Sequence, residues 1–167
     1  GGCIEVESKP GRGATFKIYF PRVESAATET ESVAVGGDSV RGRETVLLVE
    51  DEPGVRRLVN ETLRLHGYTV LEARHGIEAL LTGAKHAGPI HLLLTDVVMP
   101  QMSGPEVAEK LATVRPEVKV LYMSGYPDHP AFSKGGIDTE HSFLQKPFTP
   151  TTLAQKVREV LDGSKVA

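Results

Sequence analysis

Ile90-His91-Leu92-Leu93-Leu94-Thr95-Asp96-Val97-Val98-Met99-Pro100 decides how the rest of the chain is read. Ile90 and Leu92 to Leu94 form a short apolar run, the pattern of a strand covered on both faces, as parallel strands are. The run stops on Asp96, which places a carboxylate at the carboxyl end of a buried strand. In open α/β sheets the ligand crevice lies just outside those strand ends. Aspartate also closes strands simply because it suits turns, so a lone Asp96 would mean little. Its meaning depends on what the other strands bring beside it.

Outward in both directions, apolar runs alternate with helical patterns. Thr45-Val46-Leu47-Leu48-Val49 is an apolar, β-branched run ending on Glu50-Asp51. Pro53 suits a first helical turn. Val55, Leu58, Val59, Thr62 and Leu63 then recur at helical spacing, and Gly67 stands where a helix-ending glycine belongs. Tyr68 to Glu72 reads as a second strand, followed by a helix marked by Ile77, Leu80, Leu81 and Ala84 and closed by Gly88-Pro89. Beyond Asp96, Ser103-Gly104-Pro105-Glu106 is a capping box leading into Val107, Leu111 and Val114 on one helical face. Val118 to Met123 is a fourth strand ending on Ser124-Gly125, and Ser142 to Gln145 a fifth ending on Lys146-Pro147. Between these two, Pro127, Pro130 and Gly135-Gly136 make 126–136 poor helix material. Thr149 and Pro150 open a last helix, with Leu153, Val157, Val160 and Leu161 inward and Gly163 at its end.

Five βα units in succession predict an α/β, (βα)5 doubly wound parallel sheet with helices on both faces. Every strand's carboxyl end then lies on one edge, so Glu50, Asp51, Asp96, Ser124 and Lys146 converge on a single crevice. Three carboxylates packed together repel one another unless a cation holds them. Oxygen donors suit a hard divalent ion that keeps several waters, which points to Mg²⁺. His66, His75 and His91 stand away from the strand ends that meet there, which argues against zinc. Lys146 offers a point charge for a phosphoryl oxygen and Ser124 a hydroxyl for another. A carboxylate nucleophile in this company suits acyl-phosphate formation, with positioning and charge neutralisation carrying most of the rate.

The first 44 residues read differently. Opening on Gly1-Gly2-Cys3 rather than methionine, the chain is expected to be a piece of a longer protein. Ile4-Glu5-Val6-Glu7-Ser8 and Ala14-Thr15-Phe16-Lys17-Ile18-Tyr19-Phe20 alternate on either side of Lys9-Pro10-Gly11-Arg12-Gly13. They predict a β-hairpin with Ile4, Val6, Phe16, Ile18 and Phe20 on one face. A two-stranded hairpin is marginal alone in water, so that face needs a partner. The Gly-rich turn could cradle a phosphate, but its turn chemistry accounts for it without one. Residues 23–44 carry Glu24, Glu29, Glu31, Asp38 and Glu44 against Arg41 and Arg43 with no periodicity, and read as a flexible linker. Residues 164–167 are a short tail.

Composition bounds the partners. With 40% hydrophobic and 25% charged residues the chain suits a packed soluble domain. A net charge of −3 gives no bulk attraction to nucleic acid. Cys3 has no second cysteine to pair with, so a reducing compartment is the default and the cytoplasm the expected location. No apolar run reaches the roughly 20 residues that span a bilayer, and Glu5, Glu7 and Lys9 interrupt any signal-peptide core. Neither a membrane contact nor a nucleic-acid partner is expected.

Two stretches carry a resemblance to known families. Glu50-Asp51, Asp96, Ser124 and Lys146-Pro147, with Thr95-Asp96-x-x-Met99-Pro100-x-x-Ser103-Gly104 and Phe143-Leu144-x-Lys146-Pro147-Phe148, resemble the response-regulator receiver domain, which is assigned to 45–163. Gly1-Gly2-x-Ile4-x-Val6-x-Ser8-x-Pro10-Gly11-x-Gly13-Ala14-x-Phe16-x-Ile18-Tyr19-x-Pro21 resembles the closing strands of the ATP-binding domain of sensor histidine kinases, over 1–22. The receiver resemblance implies the flavodoxin-like strand order 2-1-3-4-5 and Asp96 as phosphoacceptor. It implies Mg²⁺ bound directly by Asp51, Asp96 and the backbone carbonyl of Val98, with Glu50 acting through water. Lys146 would hold one phosphoryl oxygen and Ser124 would close onto another. Phe143 falls at the family's aromatic switch position. Lacking the hydroxyl of the tyrosine often found there, it could act only by packing, and plain core packing explains it as well.

The phosphodonor so implied is a histidine-phosphorylated kinase or phosphotransfer domain. Kinase-like strands, linker and receiver in this order imply the C-terminus of a hybrid sensor histidine kinase, with no DNA-binding output domain after it. The kinase residues that hold Mg-ATP would lie upstream of residue 1, so no ATP binding is expected of 1–22. The segment 126–136 falls where many receivers bind partners. Val98 and Tyr126, two residues after Asp96 and Ser124, offer no carboxylate or amide to orient hydrolytic water, so slow self-dephosphorylation is expected. Rival readings are a Mg²⁺-dependent aspartyl phosphatase of the haloacid dehalogenase type, an ATP-binding fragment, and a receiver-like interaction module that takes no phosphoryl group. The phosphatase would need a second aspartate where Val98 stands.

Overall fold

A computed structural model of the chain describes residues 2–21, 40–125 and 143–163. The chain divides into two units, Gly1–Val35 and Gly36–Ala167. In the first, β1 (Cys3–Lys9) and β2 (Gly13–Tyr19) pair antiparallel, with Ile4 opposite Ile18 and Val6 opposite Phe16. Directly opposed residues share a face, so these four form the expected apolar face, and all four are exposed. Phe20 lies beyond the last strand residue and is also exposed. Gly11 and Gly13 turn the chain with φ of 73° and 81°, a conformation that glycine adopts readily.

The second unit runs β3 (Thr45–Val49), α1 (Pro53–Leu65), β4 (Thr69–Ala73), α2 (Gly76–Lys85), β5 (Leu92–Asp96), α3 (Gly104–Ala112), β6 (Lys119–Ser124), β7 (Phe143–Gln145) and α4 (Pro150–Asp162). The sheet order is β4-β3-β5-β6-β7 and every neighbouring pair is parallel, which is the order 2-1-3-4-5. Alternation along each strand divides the core between two faces. Val46, Leu48, Leu92, Leu94, Leu121 and Met123 meet Val59 and Leu63 of α1 and Leu153 and Val157 of α4. Leu47, Val49 and Leu93 meet Ala79 of α2 and Val107 and Leu111 of α3. Both faces are covered, which is why these strands read as continuous apolar runs. Among the described residues no helix is long and apolar enough to cross a membrane.

Several helical positions depart from the sequence reading. Ile77 and Leu81 are 48% and 55% exposed, while Gly76, Ala79 and Gly83 of the same helix are buried. A Cβ on Gly83 would come within 2.9 Å of the Leu111 side chain. Small residues therefore bring α2 close to α3, and a count of large apolar side chains overlooks them. Helix α3 ends at Ala112, which leaves Val114 exposed, and Leu58 of α1 is exposed too. The poor helix expected over 126–136, residues 23–39 of the linker and the tail 164–167 lie outside the described residues.

Residues 40–44, grouped with the linker by composition, are held at the amino edge of the sheet. The Gly42 N–H donates to the His66 carbonyl and the Thr69 N–H to the Glu44 carbonyl, both at 3.0 Å. The Tyr68 hydroxyl donates to the Val40 carbonyl at 3.4 Å, and Arg158 donates to the Glu44 carboxylate at 2.8 Å.

Candidate functional site

The site grows from the carboxyl ends of four parallel strands. Glu50 and Asp51 follow β3, Asp96 ends β5, Ser124 ends β6, and Lys146 follows β7. The Lys146 N–H donates to the Ser124 carbonyl at 2.8 Å, which extends the β6–β7 ladder past the last strand residue. The Lys146–Pro147 peptide bond is cis. Met123 is the β6 partner of Asp96, so Ser124 stands one residue beyond it on the same edge.

All three predicted carboxylates meet here. Their oxygens lie within 4.8 Å of one another. Lys146 Nζ donates to Glu50 Oε2 at 2.8 Å and to Asp96 Oδ2 at 2.7 Å. The second Asp96 oxygen, Oδ1, accepts from the Val98 N–H at 3.2 Å. Asp51 is exposed, the Glu50 side chain is only 1% exposed, and Ser124 is buried.

Burial pushes the Glu50 carboxyl above its ordinary pKa, the Lys146 hydrogen bond and charge work against this, and the Asp96 charge adds to it. Burial also disfavours the Lys146 ammonium, but its bonds to Asp96 and Glu50 outweigh that and raise its pKa. Three carboxylates against one ammonium leave two formal negative charges, which one divalent cation would balance. The donor set is all oxygen, which fits a hard ion such as Mg²⁺ and not a thiophilic one.

The predicted histidines do other work. His75 Nδ1 accepts from the Glu78 N–H at 3.2 Å at the start of α2, and His91 Nδ1 accepts from the Thr45 N–H at 2.9 Å at the amino edge. Phe143 stands beside Tyr122 in the β6–β7 register and is partly buried against the α2–α3 face of the core.

Sequence reading missed several supports of the site. Glu52 caps α1, its carboxylate accepting from the N–H groups of Gly54 at 3.0 Å and Val55 at 3.1 Å. An acidic residue directly before Pro53 was the available signal. Arg56, one turn into α1, donates to the carbonyls of Glu50 at 2.7 Å and Asp51 at 3.3 Å, and no local pattern announces it. Gly104 lies so close that a Cβ there would run into the Asp96 carbonyl oxygen, and its N–H donates to the Val97 carbonyl at 3.0 Å. In the loop between, Gln101 takes φ of 70°, a left-handed conformation uncommon for glutamine. Glu106 reaches back to the Ser103 N–H at 2.8 Å and hydroxyl at 2.7 Å, as the capping-box pattern predicts, and so fixes the far end of this loop.

Residues 46–158 match the response regulator receiver domain family. The sensor kinase CckA of Brucella abortus is 39% identical over 170 residues, covering 97% of this chain and 18% of that protein. A CheY homologue of Campylobacter jejuni is 34% identical over 124 residues, covering 70% of this chain and 91% of the relative. Among solved structures, the receiver domain of the hybrid histidine kinase CckA has a TM-score of 0.59 at 38% identity, covering 70% of this chain and 98% of that one. CheY4 of Vibrio cholerae has a TM-score of 0.61 at 27% identity, covering 71% and 99%. The chain thus spans only 18% of CckA, and 9% of the sensor protein EvgS of Escherichia coli. Strand order, the three-carboxylate edge with its lysine, and the match over 46–158 lead to one conclusion: the chain belongs to the response regulator receiver domain family.

Proposed function

We propose that Asp96 accepts a phosphoryl group from a phosphohistidine, which makes this chain the receiver of a phosphorelay. One observation carries the reading. Asp96 is oriented through both of its oxygens, by Lys146 and by the Val98 N–H, with two further carboxylates beside it. An Asp96 oxygen attacks phosphorus, and the O–P bond forms as the P–N bond breaks. The released electron pair returns to the imidazole, which takes a proton from solvent. Lys146, now shared between Asp96 and Glu50, neutralises charge on one phosphoryl oxygen, and the Ser124 hydroxyl donates to another. Mg²⁺, held by Asp51, Asp96 and the Val98 carbonyl with Glu50 through water, would supply the remaining charge neutralisation. Phe143 follows the closure of Ser124 by repacking alone.

The partner in this reading is a histidine-phosphorylated kinase or phosphotransfer domain in the cytoplasm. Residues 1–22 are the closing strands of a kinase ATP-binding domain, 23–44 link them to the receiver at 45–163, and the whole protein is a hybrid histidine kinase. A match to CckA that runs through 97% of the chain, and so through both units, supports this order. Val98 is exposed next to Asp96 and offers no group to orient water, so the acyl phosphate is long-lived; Tyr126, the other residue invoked, lies outside the described residues. Intact mass after incubation with acetyl phosphate and Mg²⁺ tests the proposal. One phosphoryl adduct is expected, absent in D96N and absent without Mg²⁺. An unmodified wild-type chain would overturn the phosphoacceptor reading, and an adduct that decays within seconds would overturn its long life.

A further inference from the structure

Among the described residues, Asp51 is the member of the acid cluster whose carboxylate has no hydrogen-bond donor, and it is exposed. Its aim is therefore set by its backbone. Arg56 Nη1 donates to the Glu50 carbonyl at 2.7 Å and to the Asp51 carbonyl at 3.3 Å. Those carbonyls belong to the two rigid peptide planes on either side of the Asp51 Cα. One guanidinium thus ties both planes, and with them the φ and ψ that direct the Asp51 side chain. Arg56 is itself restrained at its far side. Its Nε lies 3.9 Å from Glu72 Oε2 on β4, its side chain is 15% exposed, and its own N–H donates to the Glu52 carbonyl at 3.0 Å within α1. The Glu72 anchor lies outside the loop that Arg56 holds.

We propose that Arg56 is the positioning residue of this site. It presets Asp51 for a divalent cation, and so fixes the cation concentration at which Asp96 takes a phosphoryl group. The inference rests on the phosphoacceptor reading above. It calls for the length of the arginine side chain, because an ammonium on a shorter stem keeps the charge but not the Nε that faces Glu72 while Nη1 reaches the two carbonyls.

The test titrates Mg²⁺ into the whole chain by calorimetry and reads the acetyl-phosphate adduct at each Mg²⁺ concentration, for wild type, R56Q and R56K. In R56Q the Mg²⁺ dissociation constant is expected to rise about tenfold, the scale on which partners of metal ligands act. The adduct should return at saturating Mg²⁺, and R56K should fall between R56Q and wild type. An unchanged Mg²⁺ midpoint in R56Q would overturn the proposal even if its Tm fell, because a loss of stability does not move a binding midpoint measured well below unfolding. Adduct formation that excess Mg²⁺ fails to restore would overturn it as well. Should R56Q not fold, R56K carries the test, and a wild-type midpoint in that variant sinks the idea. Failure of the underlying reading looks different: the wild-type chain would then take no phosphoryl group at any Mg²⁺ concentration.

Discussion

Strand β3 carries a glutamate directly before it and another directly after it, and the pKa values of the two are pushed in opposite directions. Glu44, at the amino edge, accepts from Arg158, and that bond holds its carboxyl below the ordinary value although burial opposes it. Glu50, at the carboxyl edge, is pushed above it by burial, which Lys146 only partly offsets. The groove beside Glu44 is lined by Arg41, Arg43 and Arg158, so cations are in excess there. Arg158 also meets Asp162 at 2.9 Å and the Tyr68 hydroxyl at 3.5 Å. Around Glu50, one ammonium serves two carboxylates, and a third stands beside them. The same residue type therefore makes a clamp where cations are in surplus and part of an acidic cluster where anions are. The sign of the local surplus, and not the residue, separates scaffold from site.

Breaking the carboxyl edge should produce the largest effect. K146M removes the ammonium that the proposed reaction sets against the phosphoryl group, and its phosphorylation rate should fall about 100-fold, the scale of losing one preorganised donor. Intact-mass time courses with acetyl phosphate check this, and an equal loss in R158M would erase the distinction between the edges. R158M should instead cost about 2 kcal/mol in urea unfolding, because it removes the charged donor that holds the Glu44 carboxylate. Its phosphorylation rate should stay within about twofold of wild type, as expected for a distant, independent site.

The smallest effects sharpen the contrast most, since they are opposite in sign. Glu44 has a depressed folded-state pKa, so it contributes stability at neutral pH that is lost as the pH falls through that pKa. Glu50 has a raised one, so its contribution is greatest at low pH and is lost as the pH rises through the folded-state value. E44Q should therefore become more destabilising from acid to neutral pH, and E50Q less so. The E44Q change should stay within about 1 kcal/mol, as for a single partly exposed ion-pair group, and the E50Q change, set by burial, should run the other way. Thermal unfolding of both variants across the carboxylate range checks the two slopes. Parallel slopes would remove the basis of the comparison.

Much of this was legible in the sequence because strands and helices declare themselves locally. Leu92 to Leu94 and Val46 to Val49 could only be strands buried on both faces, and their ends fell where Asp96 and Glu50-Asp51 stand. The small-residue seam of α2 was not legible, because Gly76, Ala79 and Gly83 carry no large side chain to count while Ile77 and Leu81 do. Residues 40–44 were lost for a similar reason. Their composition is that of a linker, and what holds them are backbone bonds to His66 and Thr69, the Tyr68 hydroxyl, and Arg158 far along the chain.

By itself the sequence determined the succession of βα units, the edge of the sheet on which each chemical group emerges, and hence the company of Glu50, Asp51, Asp96, Ser124 and Lys146. Periodicity and turn chemistry are local, and parallel topology follows from them. Only the tertiary structure decided that Lys146 is shared between Glu50 and Asp96, that Arg56 turns back onto the carbonyls flanking Asp51, and that Glu44 and Glu50 are pushed in opposite directions. Those outcomes depend on distances of a few ångströms between residues remote in sequence and on which groups lose their water, and neither is written in any local pattern.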